Sequence, residues 1–303
     1  MKKQPLRVAA IQYKGDRFNQ HQHQSQILNL IESALQQNAQ VVVCPEMADC
    51  HYLISSPEEA DQYAYKPNGI WAHALQTLAN QFKAWLIIGI VEKEERTSTQ
   101  YSPYYFNSAL ILSPFHTPFY YRKRLLYLED LAWAIPGDTP HPSLDSHLPS
   151  NEPYPCFNVY GYKMTVGICM DLNDERFTDF CAQQKIDLIA FPTNWLDEEH
   201  EVYSYWAWRL QESNALLVAA NTYGREERAT SNKEVLILPE NQNHALFDLE
   251  NNSFAQMTSF RGESAILSTQ PACLYALASS DDPHILYMYL PIPQLNKEFT
   301  ASS

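Results

Sequence analysis

The side chain most able to do chemistry is Cys169. It follows an apolar, β-branched run at residues 164–168, which predicts a buried strand, and N-cap residue types come after it, before a helical segment. A helix N-terminus favours a thiolate, and backbone N–H groups at such a turn can hold a developing oxyanion. The sequence therefore predicts a nucleophile at Cys169, and an inert buried cysteine is the alternative.

Two charged residues could assist a thiol. Glu46 follows the apolar strand 40–44 and Pro45, which ends the hydrogen-bonded ladder. A carboxylate there is poorly solvated and could act as a general base, although a capping or salt-bridging glutamate fits equally well. Lys123 comes after a segment typical of an edge strand and lies between Arg122 and Arg124. Taken alone, this triplet is typical of a solvated basic patch.

Asn194 and Trp195 follow the predicted strand 187–191. Ligands of open α/β sheets bind at the loops after strand carboxyl ends, so both residues are candidates for substrate contact. A turn asparagine and a core tryptophan are the alternatives.

The elements that position these residues alternate between strand and helix. Apolar runs predict strands, and 3.6-residue periodicity predicts helices. The strands are expected at 6–13, 40–44, 85–91, 107–112, 164–168, 187–191 and 216–220, and the helices at 20–38, 71–82 and 201–214. This pattern indicates α/β architecture in a single domain, 1–303, with a loop at 135–155 and an irregular insertion around 223–261. We expect the insertion to modulate substrate access or assembly rather than chemistry, unless it is simply disordered.

The bulk composition excludes several classes. The chain has 303 residues, 45% of them hydrophobic, and a formal net charge of −14. An acidic surface argues against nucleic acid or an anionic membrane as partner. The six cysteines form no C-x-x-C pair or zinc spacing, so no metal and no organic cofactor are expected. No apolar run is long enough to span a membrane, and the expected location is cytoplasmic.

Three motifs, in chain order, resemble the nitrilase (carbon–nitrogen hydrolase) superfamily and its Glu–Lys–Cys triad. They are Pro45-Glu46, Tyr121-Arg122-Lys123 and Gly167-Ile168-Cys169. Further similarity lies in VAAIQ near the N-terminus, EDLAWAIPGD at 129–138, PTNW at 192–195 and RGESAILSTQP at 261–271.

The resemblance implies a four-layer α-β-β-α sandwich, assembled into a homodimer or a higher homo-oligomer. It also implies a mechanism. Glu46 takes the thiol proton, and Cys169 attacks a carbonyl or nitrile carbon. Lys123 and the backbone N–H of Met170 hold the oxyanion, and Glu129 assists in positioning or proton transfer. Ammonia or an amine then leaves, and water cleaves the thioester.

The segment that begins at the nucleophile candidate reads Cys-Met-Asp-Leu-Asn, and its aspartate favours amidases. The segment most resembles the protein N-terminal amidases, which deamidate N-terminal Asn or Gln. The expected function is a cysteine-dependent amidase acting on a small amide or a peptide N-terminus. The alternatives are a nitrilase, an N-carbamoyl-amine amidohydrolase and a non-catalytic scaffold. A peptide N-terminus would need a carboxylate for its α-ammonium, and Asp130, Asp171 and Asp174 are unranked candidates.

Overall fold

The computed structural model describes residues 2–14, 19–95, 103–138, 153–198, 200–230, 245–248 and 253–290. The first of its sheets has six strands: β1 (Leu6–Gln12), β2 (Val41–Val43), β3 (Trp85–Glu94), β4 (Tyr104–Leu112), β5 (Phe119–Arg122) and β15 (His284–Leu290). Their spatial order is β15-β1-β2-β3-β4-β5. The pairs β1/β2 and β2/β3 are parallel, and the other neighbours are antiparallel.

The second sheet also has six strands: β6 (Phe157–Val159), β7 (Tyr162–Val166), β8 (Leu188–Thr193), β9 (Leu216–Asn221), β13 (Ala265–Thr269) and β14 (Ala272–Leu277). Their order is β14-β13-β9-β8-β7-β6, and β7, β8 and β9 run parallel. The helices are α1 (Gln20–Gln36), α2 (Pro57–Tyr63), α3 (Ile70–Phe82), α4 (Glu175–Gln183) and α5 (Val202–Arg209).

The two sheets pack face to face, and helices cover their outer faces. Strand β2 shows how the sequence dictates these layers, because successive side chains of a strand point to opposite faces. Val41 and Val43 lie in the core between the sheets, and Val42 packs with α1 and α3. Helices α4 and α5 pack on the second sheet. Strand β2 is buried on both faces, which is why its sequence is an unbroken apolar run. The expected α-β-β-α sandwich is confirmed.

The expectation of an irregular segment at 223–261 is wrong for the residues that the structure describes there. They form β10 (Tyr223–Thr230), β11 (Ala245–Asp248) and β12 (Ser253–Arg261), a third sheet in the order β10-β12-β11. Strand β10 carries too few apolar residues to show a period of two. Its strand geometry comes from antiparallel pairing with β12 along its whole length, which no local pattern reveals.

Residues 139–152 of the expected loop at 135–155 lie outside the described residues. Among the helices of the described part, none is long and apolar enough to cross a membrane.

Candidate active site

The three triad residues come from the ends of separate strands. Glu46 follows β2, Lys123 directly follows β5, and Cys169 follows β7. Strands β2 and β7 lie in facing sheets, so the sandwich brings their carboxyl ends to one edge of the intersheet core. Glu46 is 1% exposed, Lys123 0% and Cys169 8%.

Lys123 joins two buried carboxylates. Its Nζ donates to Glu46 Oε1 and to Asp130 Oδ2, each at 2.7 Å. Asn107 Nδ2 bridges the same two groups, at 2.7 Å to Glu46 Oε1 and 2.9 Å to Asp130 Oδ1. Burial disfavours the ammonium, but the charges of Asp130 and Glu46 outweigh it and hold the pKa of Lys123 well above its usual value. The interpretation of this lysine as part of a solvated basic patch is therefore wrong.

Glu46 is fixed on its other side by the loop after β8. The backbone N–H of Asn194 donates to Glu46 Oε2 at 2.8 Å, and Asn194 Nδ2 donates to the Glu46 carbonyl oxygen at 3.0 Å. Burial raises the pKa of Glu46; the charge of Asp130 raises it further, and Lys123 and Asn107 lower it. The carboxylate is thus more basic than one in water, as a general base requires.

A glycine lets the Glu46 backbone approach β3. A Cβ added to Gly89 would lie 2.4 Å from Glu46 Cα, 2.4 Å from Met47 N and 2.5 Å from Pro45 O. Gly89 also holds this segment, because its N–H donates to Pro45 O at 3.1 Å and its carbonyl accepts from Ala48 N at 2.8 Å. Only glycine fits at this approach of two backbones.

Cys169 has a φ of +43°, in the left-handed region that non-glycine residues seldom occupy. It begins a 3₁₀ turn, Cys169–Asn173, and α4 begins only at Glu175. The strand-to-helix turn expected at Cys169 is therefore present, with the 3₁₀ turn between the thiol and α4. A strained residue that carries a nucleophile is a recurrent feature of catalytic turns.

The Cys169 thiol is buried as well. Burial raises its pKa and the Glu46 carboxylate adds to the rise, whereas Lys123, the Thr193 side chain and the Asn194 backbone lower it. Burial thus opposes the partial charge of a helix N-terminus, which favours a thiolate. Glu46 and Lys123 therefore both act electrostatically on the Cys169 thiol.

Asp171 links the segment just before Cys169 to the segment just after Lys123. Its Oδ2 accepts from Ile168 N at 2.9 Å, immediately before the thiol. Its Oδ1 accepts from Arg124 N at 3.0 Å and from Leu125 N at 2.9 Å, immediately after Lys123. The Tyr121 hydroxyl donates to Oδ2 at 2.8 Å. Burial raises the pKa of Asp171 to about 6, and these hydrogen bonds limit the rise.

Four contacts leave Asp171 no room for a substrate ammonium. The other two candidates are also occupied. Asp130 accepts from Lys123, from Asn107 and, at 2.9 Å, from Tyr127 N. Asp174 caps α4 through Arg176 N and pairs with the Arg176 guanidinium at 2.7 Å. None of the three carboxylates proposed from the sequence is available as an α-ammonium receptor.

The remaining predicted residues lie around this cluster. Glu129 is buried, but the carboxylate that pairs with Lys123 in addition to Glu46 belongs to its neighbour Asp130. Trp195 lies in an aromatic cluster, with ring centroids 5.8 Å from Trp206 and 5.7 Å from Tyr205. Met170 is half-buried, beside the thiol in the 3₁₀ turn.

The sequence reasoning missed Asn107 and Gly89. The signal for Asn107 was a single amide inside the apolar strand β4, where a polar side chain needs a partner. For Gly89 it was a lone glycine inside the apolar strand β3, which marks a close backbone approach.

Comparison with known proteins identifies the family. The carbon-nitrogen hydrolase model matches residues 7–231, which contain Glu46, Lys123 and Cys169. The chain belongs to the carbon-nitrogen hydrolase family. The resemblance to the nitrilase superfamily is thereby confirmed.

Individual relatives of this carbon-nitrogen hydrolase are distant. A nitrilase of Pyrococcus abyssi is 26% identical over 190 residues, 62% of this chain and 65% of the relative. A protein N-terminal amidase of Saccharomyces cerevisiae is 25% identical over 183 residues, 55% of this chain and 38% of the relative. The matched part therefore spans less than two thirds of either relative.

Solved structures share the fold. An amidase from Nesterenkonia sp. superposes with a TM-score of 0.65 at 17% identity, covering 96% of this chain and 92% of that one. A mutant of an amidase from Nesterenkonia sp. AN1, in complex with butyramide, superposes with a TM-score of 0.65 at 17% identity, covering 94% of this chain and 91% of that one.

Proposed function

We propose that this protein is a cysteine-dependent amidase that releases ammonia from a small amide or an N-terminal amide through a thioester. The observation that carries the proposal is the buried lysine held between two carboxylates, 2.7 Å from each, in a site that also contains the buried thiol of Cys169. Burying the charged groups of this ion pair costs desolvation free energy, which apolar side chains in the same place would avoid. A buried ammonium near a thiol is therefore better explained by a catalytic role than by stability.

In the first step, Glu46 accepts the proton of the Cys169 thiol, and the sulfur attacks the amide carbon. The C–S bond forms as the carbonyl π pair moves to oxygen. Lys123 Nζ and the backbone N–H of Met170 stabilise this oxyanion. The protonated Glu46 then gives its proton to the leaving nitrogen, the C–N bond breaks and ammonia departs.

In the second step, water attacks the thioester carbon and Glu46 takes the water proton. Collapse of this intermediate breaks the C–S bond, and the proton returns to the sulfur. Asp130 contacts no reacting atom in this scheme. We assign to it, rather than to Glu129, the support of Lys123, because the ion pair at 2.7 Å is its own.

Two substrate classes are supported by relatives. A mutant of the Nesterenkonia amidase was solved in complex with butyramide, a small aliphatic amide. The yeast relative is a protein N-terminal amidase, which favours an Asn or Gln N-terminus as the second candidate. For that candidate, the α-ammonium receptor must be a group other than Asp130, Asp171 and Asp174.

The deciding experiment is ammonia release from a panel of aliphatic amides, nitriles, carbamoyl amines and peptides beginning with Asn or Gln. We expect turnover of one amide class. Cys169→Ala should abolish that turnover, because it removes the nucleophile, while the melting temperature stays nearly unchanged, because only one atom is lost and the backbone of the turn is kept. Retained turnover, or a covalent adduct at another cysteine, would contradict the mechanism.

We also propose a homodimer or a higher homo-oligomer, as the resemblance implies. Light scattering of the purified protein measures the assembly mass, and a monomer at micromolar concentration would refute this proposal.

A further inference from the structure

The third sheet contacts the loop that follows the general base. Glu226 on β10 accepts hydrogen bonds from two successive backbone N–H groups of this loop, Tyr52 N at 3.0 Å and Leu53 N at 2.9 Å. Both donor residues are buried, with exposures of 3% and 1%. Hydrogen bonds to a carboxylate are about twice as strong as neutral ones, so this contact holds the loop firmly.

Strand β12 of the same sheet contacts two site loops. The ring of Phe260 meets the ring of Tyr52 edge-on, with centroids 5.4 Å apart and planes at 86°. Phe260 also forms a β-bridge with Leu196, and Asp197 N donates to Ser259 O at 2.9 Å. The loop bridged in this way carries Asn194, whose backbone N–H and side chain bind Glu46.

These contacts converge on one small space. A cavity of about 10 Å³ is lined by residues that include Glu46, Tyr52, Asn194, Thr222 and Glu226. Burial raises the pKa of Tyr52, and the charges of the Asp130 and Glu46 carboxylates add to the rise. The third sheet thus contributes Glu226 to the lining of a cavity that Glu46 also lines.

We propose that Glu226 is a positioning residue for Glu46. It fixes the backbone at Tyr52 and Leu53, and through this the loop that continues from Glu46. The inference rests on the proposed function, in which Glu46 takes the proton of the Cys169 thiol. It places strands β10 and β12 nearer to the chemistry than the sequence suggested for this part of the chain.

The test compares Glu226→Ala and Glu226→Gln with the control Glu227→Gln. Glu227 is the next residue of β10, is exposed, and points to the opposite face of the strand. The first measurement is the rate at which iodoacetamide alkylates Cys169, mapped by peptide mass at several pH values. It needs no substrate and depends on deprotonation of the thiol. The others are kcat, KM and the melting temperature.

We expect Glu226→Ala to slow both alkylation and kcat by at least about tenfold, with little change in KM, because a displaced base transfers protons poorly. Glu226→Gln keeps one acceptor oxygen and should fall between Ala and wild type. The control should match wild type. Equal alkylation rates and kcat in all variants, with only the melting temperature lowered in Glu226→Ala, would overturn the inference.

Failure of the proposed function is distinguishable from failure of this inference. If the wild type releases no ammonia from any amide, the amidase proposal fails. The alkylation rates of the three variants still decide whether Glu226 positions the base.

Discussion

Gly89 provides the sharpest test of how the fold builds the site. Its Cα lies so close to the Glu46 segment that an added Cβ would meet Glu46 Cα and Met47 N at 2.4 Å and Pro45 O at 2.5 Å. Carbon atoms are most stable about 3.5–4.0 Å apart, so Gly89→Ala must separate β3 from this segment by roughly 1 Å. All three neighbours are backbone or Cα atoms, which no rotamer change can move aside.

The consequences of that displacement divide between activity and stability. A displacement of about 1 Å in a catalytic group costs roughly 100-fold in rate, so kcat/KM for ammonia release should fall by about that factor. Overpacking of this kind costs about 1–3 kcal/mol of unfolding free energy, which lowers the melting temperature by several degrees. The variant should therefore remain folded at 25 °C and lose most of its activity.

A matched control is Gly69→Ala. Gly69 is the N-cap of α3, has a φ of −79°, and a Cβ there would come no closer than 3.0 Å to Lys66 O. The assays are ammonia release and alkylation of Cys169, with circular dichroism to confirm folding. If Gly89→Ala keeps kcat/KM within about threefold of the Gly69→Ala control, the placement of Glu46 by this contact is refuted.

Three other substitutions test the electrostatics. Asp130→Asn removes a charge that raises the pKa of Glu46, so the acid limb of the kcat/KM profile should move to lower pH; an unmoved limb would contradict the pairing. Arg122→Ala leaves the buried carboxylate of Glu92 without the guanidinium that donates to it at 3.0 Å, so the free energy of unfolding in urea should fall by about 3 kcal/mol. Arg124→Ala should lower it much less, and equal losses would count against the buried pair. Asp49 is fully buried, and burial raises its pKa from 3.8 to about 8. Because the folded state holds this proton more tightly, stability falls as pH rises from about 4 to 8, and Asp49→Asn should flatten that slope in thermal melts; an unchanged slope would rule Asp49 out as its source.

The order of the elements could be predicted because each is specified by a local pattern. The apolar run 40–44 could only be a strand buried on both faces, and β2 is one. The three motifs were also local, since each combines the end of a strand with one chemistry-bearing residue. What the sequence could not provide was the choice between adjacent acids. Glu129 and Asp130 look equivalent in the chain, and only the 3₁₀ turn Asp130–Ala132 decides which carboxylate meets Lys123.

The third sheet was missed for a different reason. Strand β10 gains its geometry from pairing with β12 across a long sequence separation, and its polar side chains give no periodic signal. The sequence shows a helix near Cys169, which favours a thiolate, but it does not show the burial around the thiol. That burial raises the pKa of Cys169 and opposes the effect of the helix.

The second acid explains how a base can function beside a permanent cation. A glutamate paired only with Lys123 would be held ionised and would accept a proton poorly. In this site, Asp130 binds the same ammonium at the same 2.7 Å distance and so divides its stabilising effect. Burial and the Asp130 charge then raise the pKa of Glu46. In the proposed mechanism, Lys123 keeps its proton for the oxyanion and Glu46 takes the proton of the Cys169 thiol. Because Lys123 is shared between two carboxylates, Glu46 can stay basic although it is paired with a cation.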